Sequence, residues 1–566
     1  MKKTIEELML AGDAPPWMNY EGYKTIARGY LLPNETPKQM YQRAAKAAAK
    51  YQKNSQMWEE KFFDYMWKNW LCLATPVLSN MGAGRGLPIS CYSVHVEDSV
   101  DSIFHKNTEL ALLSKHGGGV GIYLGDVRCR GSAIKGNGHS EGIVPWAKVY
   151  DTTTQVISQG NARRGAAAVY LDIEHGDIEE FLNIRRPIGD VNRRCMNLNH
   201  GVCITDEWMK SMLSGDKEKR LRWQDILKSR VETGEPYIFF SDNVNKGNPR
   251  CYTELGLKVK TSNICTEITL FTDPEHTFVC CLSSLNLSKY DEWKNTDLVE
   301  TSVRYLDSVM EEFIVLTADK PGFESARRSA IKGRALGLGV LGWHSLLQEK
   351  GLEFDSFDAM KLNAEIFRTI RIRTDQATVE LANEFGEPEW CVGSGRRNTH
   401  TIAIAPTVSN SAISGGVSAG IEPLAANILS IKSAKGTFFR KNPTLTKILQ
   451  GLDKDTPEIW GSINTNGGSV QHLDFLDEHQ KRVFLTAREL NQHSIIKQAA
   501  QRQGFIDQSQ SVNIFFPFNA DPKYIHQVHI AAWELGLKTL YYLRTEGVIK
   551  GDSIYKGADE CVACGG

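Results

Sequence analysis

From residue 75 to about 545 the chain alternates short apolar runs with Gly-rich turns and helical stretches, and nothing in it repeats at a fixed period. Residues 117–124, 166–171 and 401–406 are such runs. Strands that feed turns and then helices bury their faces in an α/β layering. With neither a repeat nor a low-complexity linker to divide it, one closed α/β barrel fits better than a string of small domains. Residues 1–74 read as an N-terminal helical region, with the stretch from Tyr41 to Lys50 rich in good helix formers. The barrel is therefore assigned to 75–545. From 546 hydrophobic periodicity is lost, and 546–566 is expected to be a mobile tail.

Composition limits the function classes. A formal net charge of -1 over 566 residues argues against a nucleic-acid coat or a polybasic membrane tether. The chain shows no apolar run of membrane-spanning length and no secretory leader, so a cytoplasmic protein is expected. Its 12 cysteines are scattered along a long chain, unlike the dense framework of a small secreted domain, so most should be thiols.

Three groups of residues carry chemistry. Asn263, Cys265 and Glu267 are two residues apart, and in an extended segment all three would point to one side. An amide, a thiol and a carboxylate would then share a pocket. Taken alone, the stretch has a plainer and commoner reading, a buried inert cysteine between polar turn residues. Cys561 and Cys564 close the tail as a C-x-x-C pair. No second ligand pair accompanies it, so a redox shuttle is favoured over half a zinc site, and from Tyr542 an extended tail reaches up to ~70 Å. His526 and His529 are spaced like ligands but read as a helix surface. In Cys280-Cys281 only one of two neighbours on a strand can face a shared pocket; the other belongs to the core.

These residues accumulate in a recognisable order. The run from Thr75-Pro76 to Ser90-Cys91, Asn263 to Glu267, and the C-x-L-S-x-x-N-L from Cys280 come first. Pro406-Thr407-Val408-Ser409-Asn410-Ser411, Tyr541-Tyr542 and the terminal Cys561/Cys564 pair follow. Together, over residues 75–566, they resemble the catalytic large subunit of class I ribonucleotide reductases. The resemblance implies a ten-stranded α/β barrel with a central finger loop. It implies that Cys265 is a thiyl-radical residue that takes the ribose 3′ hydrogen, Glu267 a base for the 3′-hydroxyl proton, and Asn263 a holder of the substrate hydroxyl. Cys91 and Cys280 are implied as the pair that reduces the 2′ position and ends as a disulfide, renewed by Cys561 and Cys564. Tyr541 and Tyr542 are implied as a radical relay between subunits. Pro406, Thr407, Ser409, Asn410 and Ser411 are implied as a loop for the substrate diphosphate, with Thr75, Ser90 and Gly119 nearby. A loop after an apolar strand, where a helix would begin, suits a phosphate on its own account. Val408 departs from the family pattern, in which Glu is frequent, so no side-chain role is assigned there.

The effector site implied by the resemblance takes Asp98, Arg128, and Ser158, Gln159, Arg163 and Arg164. The plainer readings are an N-cap for Asp98 and a solvated basic turn for the two arginines. Too few residues precede Thr75 for the family's ATP-cone domain, so overall control by ATP and dATP is expected to be absent. The chain itself is expected to bind no metal and no cofactor beyond nucleotides: the substrate diphosphate and a deoxynucleoside triphosphate or ATP effector, with Mg2+ as the ion they could bring. Nothing in the sequence suits a di-metal site, such as paired Glu-x-x-His helices, so the radical should come from a small ferritin-like subunit carrying the metal. Thioredoxin or glutaredoxin is the expected reductant. A homodimer is expected, standing or formed on nucleotide binding, with no nucleic-acid or membrane partner. Two rival readings remain at this point: an adenosylcobalamin-dependent reductase that needs no radical subunit, and a nucleotide-binding scaffold with a decayed site.

Overall fold

A computed structural model of the chain describes residues 4–159, 163–433, 436–517 and 519–545. Cys561 and Cys564 lie outside the described residues. The chain begins with helices, of which Pro37–Ala49 is the best formed locally: Thr36 and Gln39 make a capping box, and proline occupies the first turn. This helix and Ser55–Trp67 pack as a pair against the barrel.

The barrel strands are β1 (Leu71–Leu73), β2 (Cys91–His95), β3 (Gly119–Tyr123), β4 (Ala166–Asp172), β5 (Leu198–Ile204), β6 (Tyr237–Phe240), β7 (Phe278–Asn286), β8 (Leu336–Leu341) and β9 (Thr539–Leu540). Strands β2 to β6 are parallel neighbours. β7 turns the direction round: it is antiparallel to β1 and β2 and parallel to β8. Leu338 then bridges Ile402, and Ile404 bridges Gln510, both in parallel. The Tyr541 amide donates to the Val512 carbonyl at 2.9 Å, and β9 pairs antiparallel with β6.

The ring is thereby closed. With β1 and β2 counted as one stave along β7, the nine-stranded sheet and the two bridged segments make ten staves. Five run one way and five the other, with antiparallel seams at β2–β7 and β6–β9. The strands are buried along their whole length or nearly so, because helices cover them outside and a loop fills them inside. Among the described residues no helix is long and apolar enough to cross a membrane.

Candidate active site

The filling loop is 259–268, and residues from both halves of the barrel hold it. The Tyr170 hydroxyl donates to the Asn263 carbonyl at 2.6 Å, and Ser511 Oγ to the Cys265 carbonyl at 2.5 Å. Thr539 Oγ1 donates to the Thr266 carbonyl at 3.0 Å, and the Ser509 amide to the Glu267 carbonyl at 2.9 Å. Gly121 on β3 has a packing reason to be glycine. A Cβ there would sit 2.0 Å from the Ser262 carbonyl, so any side chain would push the loop off the wall.

Of the three residues singled out at its tip, Asn263 and Glu267 converge, by a different geometry from the expected strand. Residues 264–266 form a turn, and Thr266 takes a left-handed φ of 69°. Asn263 Nδ2 consequently reaches Glu267 Oε1 at 2.9 Å, while Asn263 Oδ1 accepts from the Ile268 amide at 3.2 Å. Thr266 and Thr407 are the two β-branched residues with positive φ among the described residues, and both lie on loops singled out from the sequence. Such conformations cost about 1–3 kcal/mol each and persist where the surroundings over-determine them.

Burial pushes the Glu267 carboxyl up to about 7, against the donors Asn263 and Ser511, which pull the other way. This has a sign for stability. Between about pH 4.5 and 7 the folded chain keeps a proton that the unfolded chain has released, so stability falls as pH rises through that window. A Glu267→Gln chain is therefore expected to gain on the order of 3 kcal/mol over the parent above pH 7 and to lose that advantage below about pH 4.5. Thermal melts at pH 8 and pH 4 check it; an equal shift at both would remove the carboxyl from the account.

Cys91 and Cys280 stand directly opposite each other across the β2–β7 seam. Opposed residues of an antiparallel pair share a face and have Cα atoms about 4.5–5.5 Å apart, inside the roughly 4.4–6.8 Å span of disulfides. Strand alternation sends Cys281 the other way, where its thiol donates to the Leu306 carbonyl at 3.3 Å in the core. Gln508 Nε2 touches Cys280 Sγ at 3.5 Å, and Glu267 lies close enough for its charge to raise the Cys280 thiol further, after burial. The stave 508–511 thus meets both the cysteine seam and the loop tip. The sequence reading missed Gln508 and Ser511; in the sequence they are part of an ordinary polar run, and only the fold shows that Gln508 to Ser511 are all buried.

The tyrosines continue from the loop. Tyr541 Oη lies 3.5 Å from Cys265 Sγ, both residues being buried. The Tyr542 ring is 4.3 Å from that of Tyr541, centroid to centroid, and the Arg544 guanidinium covers the Tyr542 ring at 4.1 Å. On an uninterrupted strand the two rings would take opposite faces. The strand is broken between Thr539–Leu540 and Leu543–Arg544, and the rings lie together. Asn199 Nδ2 donates to Tyr542 Oη at 3.0 Å, and buried Arg230 holds the Tyr541 carbonyl at 3.0 Å. Arg230 also donates to His529 Nε2 at 3.0 Å, so His529 is a core residue and not part of the helix surface expected from the sequence.

The 401–405 stave runs out into Pro406, and a helix, Val408–Ile413, begins where the sequence suggested. Thr407 Oγ1 accepts from the Gly420 amide at 2.7 Å, Ser411 Oγ donates to the Val408 carbonyl, and Ser409 is half-buried. Both amide atoms of Asn410 are buried without a hydrogen-bond partner among the described residues. Thr75 bonds Tyr30 Oη at 2.8 Å, and the Ser90 carbonyl accepts from the Gly119 amide at 2.7 Å beside Cys91.

At the candidate effector site Asp98 is not the cap: Ser99 caps Val100–Lys115. Asp98 instead takes Arg128 Nε at 2.6 Å. Ser158 lies opposite Arg164 and Gln159 opposite Arg163 in a two-stranded pair. Among the described residues no three His, Cys, Asp or Glu side chains cluster as a metal cage.

Comparison with known proteins follows the same lines. A family model described as "Ribonucleotide reductase, barrel domain" matches residues 89–222, 215–393 and 389–543. A second, "Ribonucleotide reductase, all-alpha domain", matches 17–86. The putative ribonucleoside-diphosphate reductase large subunit of Frog virus 3 (isolate Goorha) is 40% identical over 541 residues, covering 92% of this chain and 94% of that protein. The ribonucleoside-diphosphate reductase large subunit of Arabidopsis thaliana is 30% identical over 627 residues, covering 93% and 76%. Among solved structures, the Actinobacillus ureae class Id ribonucleotide reductase alpha subunit superposes with a TM-score of 0.88 at 44% identity, covering 94% of this chain and 98% of that one.

Proposed function

The chain belongs to the family of ribonucleotide reductase large subunits, and from that premise we propose that it reduces ribonucleoside diphosphates to their 2′-deoxy forms through a thiyl radical on Cys265. The observation that carries this reading is the row from Tyr542 through Tyr541 to Cys265: two phenols with ring centroids 4.3 Å apart and planes tilted by 51°, ending 3.5 Å from a buried thiol. Such a row suits a radical delivered from outside by a small metal-bearing subunit, and a chain that made its radical from adenosylcobalamin would have no use for it.

The steps follow from the residues. Tyr541, oxidised through Tyr542, takes the hydrogen atom of the Cys265 thiol. The Cys265 sulfur takes the 3′ hydrogen of the ribose, and Glu267 receives the 3′-hydroxyl proton while Asn263 holds the oxygen. A carboxyl brought to about 7 is matched to that exchange near neutral pH. The 2′-hydroxyl leaves as water with a proton from the Cys91/Cys280 pair. The second thiol of that pair places its hydrogen on the 2′ carbon and the pair closes as a disulfide, giving up two electrons in all; Glu267 returns its proton to the 3′ oxygen, and Cys265 returns its hydrogen to the 3′ carbon. The tail thiols Cys561 and Cys564 then reopen the disulfide by exchange, with a thioredoxin- or glutaredoxin-type protein behind them. Pro406 to Ser411 would receive the diphosphate, with Thr75, Ser90 and Gly119 at the same mouth. Asp98, Arg128 and the 158–164 hairpin would receive the effector; Arg128 would exchange Asp98 for a phosphate there. The helices Val100–Lys115 and Ile143–Val156 expose Val100, Phe104 and Val156 beside that site, an apolar face suited to a second copy of the chain.

A chain with Cys561 and Cys564 both replaced by Ser, pre-reduced, mixed with its radical subunit and given no external reductant, tests the reading. It is expected to stop after one deoxynucleotide per Cys91/Cys280 pair. Continued turnover would remove that pair as the electron source, and activity of the chain alone with adenosylcobalamin would replace the relay by the rival chemistry.

A further inference from the structure

We propose that Gln508 is a catalytic residue of the recharging step: its side-chain amide, donating to Cys280 Sγ, makes Cys280 the sulfur that leaves as a thiolate when an incoming dithiol opens the Cys91–Cys280 disulfide. This role rests on the reading of Cys91 and Cys280 as the electron-supplying pair. Gln508 is fully buried at the start of its stave, where its backbone N–H donates to the Ile402 carbonyl at 3.2 Å. Its side-chain Nε2 donates twice, to the Leu336 carbonyl at 2.8 Å and to Cys280 Sγ at 3.5 Å, which occupies both of its hydrogens. A backbone carbonyl can only accept, so Leu336 fixes which end of the amide is the nitrogen and turns a donor toward the sulfur. Gln508 Oε1 is buried without a hydrogen-bond partner among the described residues, so the amide is held at the seam by its nitrogen alone.

The two sulfurs are differently housed. Cys280 Sγ accepts from Gln508, and its own hydrogen goes to the Cys281 carbonyl at 3.7 Å. Gly337 on β8 leaves it room, since a Cβ there would stand 3.1 Å from the sulfur. On the facing strand the Ser90 hydroxyl stands 4.0 Å from Cys91 Sγ, the outer limit for such a contact. Burial pushes the Cys280 thiol up, the Gln508 hydrogen bond pulls it down, and the charges of Glu267 and Asp507 push it up again. In thiol–disulfide exchange the sulfur whose anion is better supported leaves faster, and a buried sulfur has only its hydrogen bonds for that support.

The exchange balances with the dithiol alone. One of its sulfurs, as a thiolate, attacks Cys91 Sγ; a new S–S bond forms, the Cys91–Cys280 bond breaks, and the electron pair goes to Cys280 Sγ, where the Gln508 N–H meets the charge. The second sulfur of the dithiol then attacks the first, the mixed disulfide breaks, and Cys91 is released as a thiolate. The two protons given up by the dithiol end on Cys91 and Cys280. The pair gains two electrons and the dithiol loses them.

The test uses the full chain with Cys561 and Cys564 replaced by Ser, oxidised with diamide to the Cys91–Cys280 disulfide, with and without Gln508→Met. Dithiothreitol is added, and the return of the two thiols is followed by quenching into a maleimide. Methionine keeps the length of the side chain and removes the donor, so opening is expected to slow about tenfold or more, and a smaller loss overturns the proposal. A brief pulse of glutathione on the chain that keeps Gln508, quenched in acid and mapped, decides the direction even if the methionine chain fails to fold. The mixed disulfide is expected on Cys91; a mixed disulfide chiefly on Cys280 overturns the proposal. A chain in which diamide cannot join the two thiols overturns both this role and the reading of the pair. Neither measurement involves deoxynucleotide formation, so turnover with the radical subunit succeeds or fails separately.

Discussion

A Cys265→Ser chain is expected to bind nucleotides as the parent does and to make no deoxynucleotide, a loss on the order of 10^6-fold or more, the scale of enzymic acceleration itself. The substitution is structurally mild. Cys265 is fully buried, serine is smaller, and the bond from Ser511 goes to the residue 265 carbonyl, which the exchange leaves in place. What changes is the strength of the bond to hydrogen: a serine O–H is much stronger than a thiol S–H, so an oxidised Tyr541 cannot take its hydrogen. Turnover with the radical subunit, set beside calorimetric nucleotide binding, separates chemistry from folding. Turnover within about a hundredfold of the parent would put the initiating group elsewhere.

Tyr541→Phe and Tyr542→Phe should each cost at least about a thousandfold in turnover with stability changed by no more than about 1 kcal/mol, since each removes one hydroxyl and keeps its ring. The 4.3 Å ring contact survives both changes, but the hydroxyl 3.5 Å from Cys265 Sγ is lost only in Tyr541→Phe. The two variants therefore part company spectroscopically. With substrate and the radical subunit present, Tyr541→Phe should strand the oxidising equivalent on Tyr542 or on the partner, and Tyr542→Phe on the partner alone. Freeze-quenched paramagnetic resonance reads the difference. Undiminished turnover in both variants would sink the relay.

Much of this site was legible in the sequence, and the places where it was not have physical causes. Strand alternation said that one of Cys280 and Cys281 must face away, the resemblance chose Cys280, and β7 is a regular strand that sets Cys280 opposite Cys91. The convergence of Asn263 and Glu267 was foreseen through the wrong geometry. A left-handed threonine is invisible to propensity, because the strain at Thr266 is sustained by contacts from Ser511 and Thr539, far along the chain. The close approach of the Tyr541 and Tyr542 rings required a break in a strand that nothing local announces. His526 and His529 looked like a wet helix face because their partners, Trp223 and Arg230, come from a helix remote in sequence. The closure of the barrel was hardest to read, since the 401–405 and 508–512 staves join their neighbours through single bridges.

The β2–β7 seam has a mechanical side. It is where the two counter-running halves of the barrel meet, and it is where the paired sulfurs face each other. Closing that pair during a catalytic cycle would stitch one half to the other covalently, and reopening it would unpick the stitch. The spent chain and the recharged chain would then be differently braced objects, and each cycle of the proposed sugar reduction would tighten and loosen the wall that surrounds it.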